Sequence, residues 1–180
     1  METTIIINQV LPHLKPCIMY HLMIKIRSAI LVFLTHNMAL PFLKLVRRPE
    51  VFPYSMEALE QFPANSLGKD LFDFLREKNL ALLSYYARHD MKHILLGYDT
   101  TDDGEVCLQC FMLGNGHISF PVLATVCYGF FTMPEHWKLF RTAYKKGKQA
   151  PPLENWKWFE LLQVQTVLLK QKIKSNAAAD

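Results

Sequence analysis

The sequence predicts an all-α protein, a single compact domain of six to eight helices, and two observations carry that reading. Of its 180 residues 51% are hydrophobic, enough to bury a core without disulfides. Only seven glycines accompany that apolar material, fewer than the tight turns and crossovers of a sheet would use.

The elements follow from caps and spacing. A first helix is predicted over residues 19–37, ending before Pro41, with Pro49 and Pro53 marking an irregular connection. Ser55 can cap a short helix through Gln61, and Ser66 can cap another that places Leu67, Leu71, Phe74 and Leu75 on one face. A longer helix over residues 80–96 would bury Leu82, Leu83, Tyr86 and Ile94, with Gly97 where a helix end needs positive φ. A run of turn formers, Tyr98 to Gly104, comes next, and Thr101, Asp102 or Asp103 could cap the helix that follows. Further helices are predicted over residues 118–131, 134–148 and 153–174, with Pro134 and Pro152 near the starts, where proline is tolerated. Residues 1–60 read as an N-terminal helical segment suited to contact with a membrane surface or to covering the core, and 61–180 as the main helical region of the same domain.

The net charge of +4 conceals a pattern. Six basic residues and one acid lie before Pro49, eleven acids and five bases between Glu50 and Val106, and nine bases and three acids from Lys138 onward. An acidic middle suits a bound cation; basic flanks suit anionic headgroups, unless they are merely solvated faces. No nucleic-acid module, phosphate loop, dinucleotide fingerprint or nucleophile elbow is present, and no nucleic-acid partner is expected.

Cys17, Cys107, Cys110 and Cys127 form no secreted disulfide framework, and the expected compartment is reducing. The apolar stretch from Cys17 to Val46 is interrupted by Lys25 and Arg27 and broken by Pro41, leaving it short of the ~20 residues that span a bilayer. Its lack of acids also fits a mitochondrial transit peptide, although its Ile, Leu and Phe do not.

The chemistry is concentrated on one predicted helix. Residues four apart on a helix differ by about 40° around the axis, so His89 and His93 project from one face and can chelate one ion. Asp90 flanks them, able to ligate or to orient a histidine, and the turn after Gly97 is long enough to bring Glu105 back beside His93. The set His89, Asp90, His93 and Glu105 suits Zn²⁺, with Fe²⁺, Mn²⁺ or Mg²⁺ as alternatives. The plain alternative is two ordinary histidines ion-paired with Asp90 and Glu105. The spacing of Cys107 and Cys110 also fits zinc or a redox pair, but with no second such pair a shared apolar face is the better reading. Arg141, Lys145 and Lys148 recur on one helical face, a stripe that could meet lipid phosphates or simply solvent.

His89-Asp90-x-x-His93 followed after eleven residues by Glu105 resembles the signature of the coenzyme Q biosynthesis protein 4 family. The segment from Phe62 to Lys69, Phe74-Leu75, Gly97, Gly104-Glu105, Phe111, Gly147, Pro152-Leu153 and Trp158 are similar to further positions of that family, over roughly Phe62 to Leu169. The resemblance implies a helical, zinc-holding protein peripheral to a membrane and engaged in ubiquinone biosynthesis. The implied activity replaces the ring carboxylate of a polyprenylated hydroxybenzoate by a hydroxyl; the alternative is a non-catalytic isoprenoid-lipid carrier or scaffold. His89, Asp90, His93 and Glu105 would be the ligands. The implied partners are a prenylated aromatic or isoprenoid lipid, a membrane surface, other quinone-biosynthesis enzymes and a second copy of the chain. The implied location is the cytoplasmic face of a bacterial inner membrane, or the matrix side of the mitochondrial one in a eukaryote. The chain departs from the family pattern in lacking an acidic insert between Leu75 and Tyr85, and in carrying Met112 and Asn115 where the family has a glutamate and a glutamine.

Overall fold

The computed structural model describes residues 22–33 and 50–175, and all regular structure there is helical. In chain order the helices are α1 (residues 22–32), α2 (Met56–Glu60), α3 (Leu67–Glu77), α4 (Ala87–Leu96), α5 (Asp102–Gly114), α6 (Phe120–Thr132), α7 (Trp137–Gln149) and α8 (Thr166–Ser175). Two 3₁₀ turns, Pro134–His136 and Trp158–Leu161, complete the set among the described residues. The expectations for Cys17, for the ends of the first helix and for most of residues 1–60 lie outside the described residues.

The caps act as their chemistry dictates. The Ser55 and Ser66 hydroxyls accept from the amides of Ala58 and Lys69, each at 3.3 Å. Of the three candidates for α5, Thr101 is the cap and accepts from the Gly104 amide. The apolar face of α3 seats Leu67, Leu71 and Leu75 with no measurable exposure, each contributing about 1.5–3 kcal/mol by burial.

Two predicted elements differ from what forms. The helix before the histidines starts at Ala87 instead of residue 80, and Leu83 is exposed where burial was expected. Asn79 takes a left-handed φ of 52°, and the Ser84 carbonyl is held by the Phe52 amide at 2.9 Å. The backbone there is tied to the preceding segment and is not free to coil. Residues 153–174 do not form one helix, because the Val164 and Leu162 carbonyls accept from the amides of Leu67 and Gly68 at 2.9 and 2.8 Å. Those two amides sit at the start of α3, where a helix has no internal partners. The chain breaks into a 3₁₀ turn and α8 in exchange for capping α3.

Two cores result. One joins α3, α4 and α8 through Leu71, Met91 and Leu169; the other joins α5 and α7 through Val106, Cys107, Cys110, Phe140 and Ala143, with Leu31 of α1 against it. α5 and α7 cross closely because a Cβ at Gly114 would strike the Tyr144 carbonyl and one at Gly147 the Phe111 carbonyl. The Asn115 side chain ties this crossing: its amide donates to the carbonyls of Gly147, Ala150 and Pro151, and its oxygen accepts from Leu153 N–H at 2.9 Å. Removing it strands partly buried groups at two helix ends. Asn115→Ala should therefore lower unfolding free energy by about 2–3 kcal/mol in a denaturant titration. A loss below about 0.5 kcal/mol, the scale of an ordinary surface change, would show that the tie is idle.

Candidate metal centre

α4 and α5 bring the histidines and Glu105 together. The joint between them is built by two glycines. Gly97 ends α4 in the left-handed region at φ 71°, turning the chain so that the Tyr98 carbonyl faces back onto His93. Gly104 sits in the first turn of α5, where a Cβ would collide with the Asp99 carbonyl and stand 3.0 Å from the Thr101 hydroxyl. That close approach sets where Glu105 begins. Gly104→Ala is expected to keep its helical circular dichroism yet bind Zn²⁺ at least about tenfold more weakly, as when the support of a ligand is lost. Unchanged affinity by competition titration would show that this turn does not position Glu105.

The three side chains converge on one point. His93 Nε2 lies 3.0 Å from His89 Nε2 and 3.0 Å from Glu105 Oε1, and His89 Nε2 lies 3.4 Å from the same oxygen. All three ligand atoms fall within 4.8 Å of one another. His93 Nδ1–H donates to the Tyr98 carbonyl at 2.9 Å, which in the neutral ring leaves Nε2 as a bare lone pair aimed at its neighbours. Two lone pairs, on His93 Nε2 and Glu105 Oε1, then face each other at 3.0 Å, an arrangement that requires a proton or a metal cation between them. Glu105 Oε2, 3.3 Å from His89 Nε2, is buried and makes no well-aligned hydrogen bond. An orphaned carboxylate oxygen beside two imidazole nitrogens, at separations typical of donors sharing one ion, fits a divalent metal.

Access is one-sided. The His93 side chain is 1% exposed and Glu105 14%, whereas His89 is 23% exposed and forms the open edge. Phe74 stacks on His93 with ring centroids 6.2 Å apart, and Tyr86 packs edge-on against His89 at 5.7 Å.

Electrostatics bind the group into a unit. Burial pushes the Glu105 carboxyl up, but the charges and hydrogen bonds of His89 and His93 outweigh it and hold the group far below the usual carboxylate range. Burial pulls His93 down, yet its contacts with Glu105, the Tyr98 carbonyl and the charge of Asp90 leave its pKa raised. Asp90 stands beside the cluster and outside the set of mutually close ligand atoms. Burial raises its carboxyl to about 6, against the opposing pull of the two histidines and with reinforcement from Glu105. Burial first, and then Glu105 and Asp90, push Tyr86 up to about 12. The Tyr98 carbonyl had no signal in the sequence, since any residue supplies one. Tyr86 and Phe74 were anticipated only as core residues.

The competing cysteine motif is core. Cys107 and Cys110 are buried on α5, and burial raises their thiols to about 12 and 11. Thiols raised this far carry almost no thiolate at neutral pH and are poor nucleophiles.

No protein-family model matches the chain, and no curated protein does. Among solved structures it is similar to the crystal structure of a provisionally named ubiquinone biosynthesis protein from Nostoc punctiforme PCC 73102. The two are 23% identical, with a TM-score of 0.54 over 84% of this chain and 80% of that one. At that distance the likeness establishes a shared all-helical fold.

Proposed function

We propose that this protein is a metal-dependent member of a quinone-biosynthetic apparatus, acting on a prenylated hydroxybenzoate-type ring at a membrane surface. The observation that carries the reading is the convergence of His89, His93 and Glu105 with an orphaned carboxylate oxygen. The name and fold of the Nostoc protein support the pathway.

A divalent ion held by His89, His93 and Glu105 would supply Lewis acidity, withdrawing electron density from a ring carboxylate as carbon dioxide leaves. The net change, Ar–COOH plus one oxygen-atom equivalent giving Ar–OH plus CO₂, draws its oxidant from outside the chain. The residues do the rest. Tyr98 fixes the orientation of His93, Phe74 shields its ring from water, and the open edge at His89 admits the carboxylate and its neighbouring phenolic oxygen. Asp90, whose carboxyl burial raises to about 6, flanks the cluster and is placed to orient a histidine or exchange a proton with the bound ring. Exposed Leu80, Leu83 and Tyr85 precede Tyr86 and offer an apolar approach for a prenyl tail.

α1 supports membrane contact. Leu31 points inward at 2% exposure, while Leu22, Met23, Ile26 and Ile30, all exposed, occupy an arc of about 100° centred about 130° away from it. No helix among the described residues is long and apolar enough to cross a membrane. Cells carrying His93→Ala should accumulate a carboxylated prenyl-aromatic intermediate, detectable by mass spectrometry of lipid extracts, and an unchanged lipid profile would sink the enzymatic reading. The exposed apolar approach equally suits a carrier that presents isoprenoid lipids to partner enzymes. Co-purifying lipid with no turnover of any added aromatic acid would decide for the carrier.

A further inference from the structure

A cavity of about 440 Å³ lies between α5, α6 and α7, within the ~300–1,000 Å³ typical of small-molecule sites. Its floor includes Cys110 and Phe140, both buried, and its walls include Val126, Phe130 and Trp137. One wall is preorganised: Trp137 stacks on Phe130 with centroids 4.6 Å apart and planes 6° from parallel, and its indole N–H donates to the Phe130 carbonyl at 2.7 Å. The charged members of the lining, Lys138 and Arg141, are both exposed, and neither forms an ion pair with another described residue.

This cavity is separate from the metal centre. Cys110 follows Glu105 by five residues, which places it about 140° around α5 and about 7.5 Å along it. The histidine helix packs in the first core, through Met91 and Leu95, whereas Cys110 and Phe140 belong to the second.

From this geometry we infer that the cavity binds one long-chain fatty acid, with its chain against Cys110, Phe140 and Phe130 and its carboxylate on Arg141 and Lys138. The apolar lining suits a hydrocarbon, and two cations without an ion-pair partner among the described residues, at the mouth of the pocket, select an anionic head over a neutral one. A guanidinium also matches a carboxylate in a bidentate fashion.

Titration of the full chain with the fluorescent fatty acid cis-parinaric acid, below its micellar concentration, tests this directly. Saturable one-to-one binding is expected, displaced by palmitate and at least about tenfold less well by the alcohol of equal length, which lacks the charge-assisted bond. Lys138→Glu and Arg141→Glu, both surface changes, should each weaken binding about tenfold, and Val126→Trp should abolish it by filling the cavity. Addition of EDTA should leave the affinity unchanged. Should Val126→Trp fail to fold, the two charge reversals carry the test alone. The assignment is overturned if no saturable binding occurs, if the charge reversals do not weaken it, if EDTA alters it, or if the protein adsorbs to anionic vesicles without taking up monomeric fatty acid.

Discussion

His93→Ala is expected to lower divalent-metal affinity by more than about 100-fold, beyond the 10–100-fold lost when a residue that merely supports a ligand is removed. The reason is positional. His93 is the common vertex of the cluster, 3.0 Å from both His89 and Glu105, and the member whose free lone pair is fixed by a backbone contact. Without it, His89 and Glu105 remain as two donors on different helices, 3.3–3.4 Å apart. Its imidazole is buried, so alanine also opens a small polar void, and a modest loss of stability should accompany the loss of metal. Isothermal titration with Zn²⁺ separates the two effects: a folded variant that retains wild-type affinity would remove His93 from the ligand set.

The second large effect is a pH-dependent stabilisation by metal. Zn²⁺ at 1,000 times its dissociation constant should stabilise the fold by about 4 kcal/mol at pH 8. In the metal-free protein the raised His93 pKa contributes stability that is fully present below the ordinary histidine value of about 6.5 and is lost as pH rises through the folded value. The depressed Glu105 pKa contributes stability that is present above the ordinary carboxylate value of about 4.3 and is lost as pH falls through the folded value. The proton-bridged pair is therefore most stabilising between those two values, where it also competes with metal. Metal binding requires an unprotonated His93, so its contribution shrinks on acidification, by up to about tenfold in affinity per pH unit below the folded pKa. Calorimetric melts with and without Zn²⁺ should show a large increment at pH 8 and almost none at pH 5. Equal increments at the two values would mean that no histidine is displaced from its proton by the ion.

The helical class, the caps at Ser55 and Ser66, the apolar face of α3 and the turn at Gly97 were legible because each depends on chemistry local in sequence. The pairing of His89 and His93 was legible for the same reason, and the return of Glu105 followed from the length of the turn. What could not be read were decisions made at a distance. The late start of α4 follows from the engagement of Ser84 by Phe52, and the break after Leu161 from carbonyls diverted to the start of α3. Nor did spacing reveal that Arg27 and Ser28 of α1 reach Asp102 at the start of α5, at 3.6 and 2.6 Å. Asp90 illustrates the limit within the site. Its helical position put it on the flank of the histidines, and only packing decides that it faces the cluster without joining the converged atoms.

The central claim is that three side chains on two helices hold one metal ion. Elemental analysis of the untagged protein, purified without chelator, tests it most directly. The geometry predicts a stoichiometric divalent metal in the wild-type chain that disappears from His93→Ala; wild-type protein that is folded and free of metal, and stays so after incubation with Zn²⁺, would contradict it.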